Sequence, residues 1–331
     1  MPEFPPAGHG SGFEITLAFR MTNATVFRLP LPFVCSLAIL LLSASTITAH
    51  AQQVAFTWDD LPAHSNLPPG ETRASIIRSI TQAMKAEKMP PVYGFLNGVR
   101  VTEEPASVDA LVAWQKAGLP VGNHTWSHLN LNEQPANVWE ADFDRNEPTL
   151  RQFGARQSTR WMRFPYLAEG ETEAKRNRIR AFLAKRHYRI AGVTMSFSDF
   201  AYNAPYARCV AKKDEAGIAE LEKGYLAAAD SDITYRRALA KRIFGHDIPY
   251  VLLMHVGALD ARMLPRLLEF YRKRGFVFIT LEQAEADPFY ANDLDLTLPS
   301  WPDTLEGVAS QRHVSLSGNP QPSLDVEKVC P

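Results

Sequence analysis

What most limits the fold of this chain is a rhythm. From residue 52 onward, short apolar runs of strand length alternate with amphipathic segments of helix length. QQVAFTW (52–58) reads as a strand and TRASIIRSITQAMKAEK (72–88) as an amphipathic helix. PVYGFLNG (91–98) is a second strand, and SVDALVAWQKAG (107–118) a second helix closed by Gly118. LPVGNHT (119–125) is a short strand running into a loop. A helix around 136–153, the strand RWMRFP (160–165) and a helix at 172–186 follow. YRIAGVTMSF (188–197), YVLLMHVG (250–257) and FVFITL (276–281) complete the strands, with the helix LPRLLEFYRKRG between the last two. Strands separated by helices of this length argue for βαβ units and a parallel sheet. About seven strand-like runs joined by short turns favour barrel-like closure, in which the working face is the C-terminal ends of the strands.

No internal repeat or low-complexity linker interrupts residues 52–290, which we read as one domain, with a Pro- and Ser-rich tail at 291–331. Residues 203–248 are too long for a simple crossover. They read as two or more helices, a helical insertion before the last strands, expected near the working face and able to fold over its mouth as a lid.

The balance of residues limits partners. Of 331 residues, 46% are hydrophobic and the net charge is -1, so there is apolar material for one large core and no basic stripe for a nucleic acid. The densest basic run, KRNRIRAFLAKR (175–186), reads as one face of a helix. The first 51 residues read as a leader. From Met21, the expected start, Arg28 precedes an apolar stretch ending near Leu42, and small residues lead to Ala49-His50-Ala51. This is the layout of a secretory signal cleaved after Ala51; the apolar stretch is short of the roughly 20 residues of a membrane span, and an uncleaved anchor is the alternative. The expectation is an exported protein, periplasmic or extracellular, with no stable membrane insertion after cleavage. Cleavage leaves two cysteines, Cys209 and Cys330, which can pair in an oxidising compartment; their spacing does not decide it.

The polar residues at or just past strand ends are Asp59, Asp60, His124, His128, Arg163, Asp199 and His255. GNHTWSHLN holds two histidines four apart. In a helical turn they share one face, and their ring nitrogens can meet one metal ion. Two imidazoles and one carboxylate leave a tetrahedral position open for water, the pattern of a catalytic zinc. One acid of the Asp59–Asp60 pair can be the third ligand, and the cation then offsets the crowding of the other. Alone, H-x-x-x-H is weak, since two surface histidines read the same way; beside a strand-terminal Asp-Asp it is stronger.

In chain order, TWDD (57–60), HTWSH (124–128), RFPY (163–166), SFSDF (196–200) and LMH (253–255) resemble the five motifs of the polysaccharide deacetylases, the NodB-homology group or carbohydrate esterase family 4, over about residues 55–285. The resemblance implies an α/β fold, a distorted (β/α)7 barrel resembling a TIM barrel, and metal-dependent removal of acetyl groups from sugars. It implies Asp59 as catalytic base, with Asp60, His124 and His128 holding a divalent metal ion, zinc first, with Co2+, Ni2+ or Mn2+ as alternatives. It further implies that Arg163 orients Asp59, that the Tyr166 N–H faces the developing oxyanion, that His255 is the general acid with Asp199 fixing its tautomer, and that Leu253 lines the acetyl pocket. Amide hydrolysis asks for the same parts: an activated water, a base, an oxyanion donor and an acid for the amine. Trp58 departs from the usual Phe of the first motif. Ser196 and Phe200 depart from the acid and Trp that open and close the fourth, which weakens the link from Asp199 to His255.

The implied substrates are acetylated carbohydrates, N-acetylated sugars of peptidoglycan or chitin type. Two alternatives stand beside them: an O-acetyl esterase on a polysaccharide such as acetylated xylan, and a non-catalytic carbohydrate-binding protein. Trp126 and Tyr166 are expected near ligand, Trp161 and Tyr202 in packing. His64, four after Asp60 in a Pro-rich loop, reads as solvent-exposed, with contact to substrate or metal as the alternative; His187 and His246 read as surface.

Overall fold

The computed structural model describes residues 52–154, 160–300, 304–316, 318 and 324–331; the leader and cleavage site expected within residues 1–51 lie outside them. The strands are β1 (Gln52–Leu61), β2 (Tyr93–Leu96), β3 (Val121–Asn123), β4 (Arg160–Met162), β5 (Tyr188–Ile190), β6 (Tyr250–His255) and β7 (Phe276–Phe278). The helices are α1 (Arg73–Ala86), α2 (Val99–Glu103), α3 (Val108–Lys116), α4 (Ala136–Phe153), α5 (Glu173–Ala184), α6 (Asn203–Lys212), α7 (Glu215–Phe244), α8 (Ala258–Lys273), α9 (Leu281–Ala284), α10 (Ala291–Leu294) and α11 (Leu305–Gln311). Thr72, Thr172 and Asp214 cap α1, α5 and α7, each side-chain oxygen accepting the N–H three residues on.

Every strand pairing is parallel, in the order β5–β4–β3–β2–β1–β6. Just past β5, Met195 bridges Leu252 of β6, and Leu253 N–H donates to Met195 O at 3.0 Å, which closes the path into a ring. β7 stands off that path. Val54 pairs with both Tyr250 and Phe278, so β7 lies along β1 opposite β6, ahead of the stretch where β2 takes over at Thr57. This is the distortion of the barrel.

Alternation along the strands sorts the side chains. Val54, Phe56 and Trp58 of β1, with Tyr250, Leu252 and Met254 of β6, join the large core shared with the helices. Ala55 and Val251 face the other way, into a smaller cluster with Tyr93, Phe95, Trp161 and Tyr290. Continuing along the same parity, Thr57 and Asp59, then Leu253 and His255, rise towards the C-terminal ends of the strands. The exchange of Phe for Trp58 therefore falls on the outer, helix-facing side.

The segment 203–248 forms α6 and α7, which pack on each other, with α6 against α8 and α11 against α7. The tail is bound to the body: Leu305, Val308 and Ala309 are buried, and Cys330 is disulfide-bonded to Cys209. No helix of the described residues is long and apolar enough to cross a membrane. A bond spanning 121 residues removes much freedom from the unfolded chain, so Cys330→Ser should cost about 2–5 kcal/mol of stability. Thermal unfolding with and without reductant checks this; the reductant should lower the midpoint of the parent and leave that of the variant unchanged.

Candidate active site

Neighbouring residues on a strand point to opposite faces, yet Asp59 and Asp60 line one cavity. The reason is a bulge. β1 pairs Trp58 with Gly94 but Leu61 with Leu96, one extra residue on the β1 side, and Asp60 takes a left-handed backbone with φ of 62°. The extra residue turns both carboxylates into the mouth of the barrel.

His124 and His128 also converge, with ring centres 4.8 Å apart, but not through the helical turn expected from their spacing. The segment after β3 is an irregular loop in which Thr125 and His128 both have φ of 60°. Local hydrogen bonds displace the helix: Thr125 N–H donates to Asn123 Oδ1, Trp126 N–H to Asp142 O, and Ser127 N–H to Asp142 Oδ2.

Arg163 is buried beneath the acids and fully engaged. Nη1 donates to Asp59 Oδ1 at 3.3 Å, Nη2 to Thr57 Oγ1, and Nε to Ala191 O at 2.6 Å. Its own carbonyl lies 2.8 Å from His124 Nδ1. A carbonyl only accepts, so Nδ1 carries the hydrogen and Nε2 presents a lone pair. That lone pair stands 3.6 Å from Asp59 Oδ2 and 3.6 Å from Asp60 Oδ1, while His128 Nε2 is 3.4 Å from the same Asp60 oxygen.

Electrostatics divides these groups. Burial raises Asp59 to about 6 against the pull of Arg163. Burial also works on Asp60, but the hydrogen bond from His64 and the neighbouring imidazoles hold it well below the usual carboxylate range. Burial lowers His124 and His128 to about 4, with the charge of His124 adding to the effect at His128. Near pH 7 the two rings are neutral and Asp60 is anionic. His124 Nε2 and the Asp60 carboxylate are then acceptors, a neutral His128 can offer a third, and the three ligating atoms lie within 4.8 Å of one another. Donors about 2.0–2.2 Å from a tetrahedral zinc stand roughly 3.3–3.6 Å apart. The chain's 3.4 and 3.6 Å separations fit that ion.

His255 is paired with Asp59 across the β1–β6 ladder. Its Nδ1 is 3.0 Å from Asp199 Oδ1, and its backbone N–H donates to Asp199 Oδ2 at 2.6 Å. Burial disfavours the imidazolium, but Asp199 outweighs it and raises His255 to about 10. The link from Asp199 therefore holds despite the altered fourth motif. Ser196 takes its support from elsewhere: its N–H donates to Asp232 Oδ2 of α7 at 3.1 Å. Tyr225 of α7 packs edge-on against Phe197 and Tyr202, and its hydroxyl donates to the buried Asp260 at 2.7 Å. The insertion braces the loop carrying Asp199 from behind.

The cavity, about 570 Å³, is lined by Asp59, Asp60, His124, His128, Tyr166, Leu253 and His255 of the expected set. Arg163 and Asp199 lie behind it. Among the described residues, none of 203–248 lines it. Trp126 is not among the lining residues either. Its ring packs where a side chain on Gly98 would sit, and Arg145 stacks over it at 4.6 Å. Tyr166, two-thirds exposed and with φ of 59°, stands at the rim with its ring 4.6 Å from that of His128. Phe200 lies on the opposite side, 5.1 Å from the His255 ring. Sequence reasoning missed Asn97 and Arg100, which line the cavity; the polar end of strand PVYGFLNG was the available signal for Asn97. Of the two readings open for His64, the structure favours contact over solvent, its Nδ1 lying 2.9 Å from Asp60 Oδ2.

The raised His255 fixes a sign. Its folded value lies above the ordinary 6.5, so its pairing stabilises the fold fully below that pH, and the contribution is lost as pH rises through about 10. In Asp199→Asn the His255 ring, followed by NMR, should titrate well below the wild-type value, and the stability gap between the two proteins should narrow above pH about 10.

The polysaccharide deacetylase family model matches residues 46–183. No curated protein matches the chain. Among solved structures, the chain is similar to a family 4 carbohydrate esterase from Streptomyces lividans in complex with acetate, at 17% identity over 70% of this chain and 95% of that one, TM-score 0.45. It is similar to the chitin deacetylase of the fungal pathogen Colletotrichum lindemuthianum, at 18% identity over 70% and 86%, TM-score 0.45. It is also similar to a carbohydrate esterase family 4 pseudoenzyme from Bacillus anthracis, at 14% identity over 71% and 66%, TM-score 0.48. The stretch matched by the polysaccharide deacetylase family model, residues 46–183, carries the Asp-Asp and His-x-x-x-His motifs of the site.

Proposed function

We propose that the chain is an exported, metal-dependent hydrolase that removes acetyl groups from N-acetylated sugars of peptidoglycan or chitin type. One observation carries the reading: Asp60, His124 and His128 bring their ligating atoms within 4.8 Å of one another in the cavity, a part-buried set of donors that suits a divalent cation. Bound there, such an ion supplies Lewis acidity for the acetyl carbonyl and for water. The rest is work for this chain's own groups. Asp59, ionised and held by Arg163, takes the proton of the attacking water. The Tyr166 N–H, presented by its left-handed backbone, donates to the oxyanion. His255, an imidazolium near pH 7 through Asp199, gives its Nε2 proton to the departing amine. Leu253 packs against the acetyl methyl. An intact base and acid argue against a pure binding role, which needs neither. Domain limits of 52–290 with a tail at 291–331, and a leader ending at Ala51, belong to the same reading; the Cys209–Cys330 disulfide supports an oxidising, extracytoplasmic location.

Acetate release from chitin oligomers and from acetylated xylan by the purified protein tests this. Release from the first identifies an N-deacetylase; release from the second alone identifies an O-acetyl esterase. Asp60→Ala and His128→Ala should each remove at least about 99% of the activity, in line with the 100-fold or greater losses typical of electrostatic catalysis, and full activity in either would end the hydrolase reading. The rate should rise with pH through the ionisation of Asp59, at or below about 6 because a neighbouring cation favours the anion, and fall as His255 loses its proton near 10.

A further inference from the structure

His64 belongs to none of the five motifs, yet it is built into the site. It follows the bulge on the segment leaving β1, and its backbone N–H donates to Val256 O at 2.6 Å, just past β6, so the main chain there is fixed to the ladder. The ring lines the cavity, 31% exposed, with its centre 5.6 Å from the ring of His255 and 6.1 Å from that of Phe200. Its Nδ1 lies 2.9 Å from Asp60 Oδ2. A carboxylate accepts and does not donate, so His64 Nδ1 carries the hydrogen. The other oxygen, Oδ1, is the one that faces His124 and His128. The carboxylate is divided: one oxygen belongs to His64, the other to the two imidazoles.

We propose that His64 is a positioning residue for the metal site, its Nδ1–H holding Asp60 Oδ2 so that Oδ1 alone is offered to the cation. The proposal rests on the reading of Asp60, His124 and His128 as metal ligands. The terminal torsion of an aspartate is broad, and a left-handed backbone at Asp60 does nothing to choose between its oxygens. Without His64, Oδ2 has no donor, and the plane of the carboxylate can turn to present both oxygens or neither. Partners of this kind, one step removed from the ion, are typically worth about 10- to 100-fold in metal affinity.

The test uses Zn2+ alone, its dissociation constant measured by chelator competition on the oxidised full chain. Two substitutions separate the hydrogen bond from the ring. Asparagine places its amide N–H close to where Nδ1–H stands; glutamine keeps the bulk and reaches the Nε2 position instead. His64→Ala and His64→Gln should weaken zinc about 10- to 100-fold, and His64→Asn should recover most of that loss, with far-ultraviolet circular dichroism unchanged in all three. The visible absorption of the Co2+-loaded protein should shift in the glutamine variant and return in the asparagine variant. Wild-type zinc affinity in His64→Gln, with weak binding in His128→Ala, overturns the role of His64 and leaves the metal site standing. Equal losses in the glutamine and asparagine variants also overturn it, because ring packing and not the hydrogen bond would then be at work. Wild-type affinity in His128→Ala overturns the metal site itself, and the proposal with it.

Discussion

Two carboxylates side by side at the end of a buried strand set the problem that the rest of this molecule solves. Their charges cannot be tolerated together without compensation, and the fold gives each a different kind. Asp59 leans on a buried guanidinium whose remaining donors are spent on Thr57 and on backbone carbonyls, so Arg163 is fixed by the barrel and Asp59 by Arg163. Asp60 is turned by the bulge towards the Nε2 atoms of two neutral imidazoles. One acid is thus raised towards neutrality and the other held anionic. Neighbours in sequence become chemically distinct groups, the condition for one to move protons while the other holds a cation.

Much of this was legible before the fold was known. The alternation of strands and helices gave the parallel sheet because period-2 and period-3.6 patterns are local, and the helix expected around 136–153 forms at Ala136–Phe153. The acids and histidines were legible as a set because each falls at or just past the end of a strand-like run in the sequence. What failed depended on tertiary neighbours. The spacing of His124 and His128 suggested a helical turn, but side-chain bonds from Asn123 and Asp142 hold an irregular loop. Trp126 was expected near ligand, but its ring packs where a side chain on Gly98 would sit. His64 looked solvated because its partner, Asp60, is presented to it only by a bulge that no residue type announces. The length of 203–248 was correctly read as helical; which side of the barrel it covers was beyond any local pattern.

The insertion is better understood as scaffolding than as a cover. α7 touches the loop between β5 and α6 through the Asp232 bond to Ser196 and through the ring of Tyr225. It is tied in turn to α11 by Arg236 and Glu306. Loops that carry catalytic side chains are mobile unless something restrains them. Here the restraint on Asp199, and through it on His255, comes from a helix that never reaches the cavity.

The pairing of Asp59 with His255 across adjacent parallel strands has a further bearing. The spacing between Asp59 and His255 is set by backbone hydrogen bonds between β1 and β6, with no contribution from the identity of the surrounding core. A slip of one residue along that ladder would exchange His255 for Met254 and turn the imidazole towards the helices. Apolar residues in the outer shell can therefore drift among shapes that merely fill space. The two strands cannot change phase, because their registration is the ruler by which the chemistry is measured.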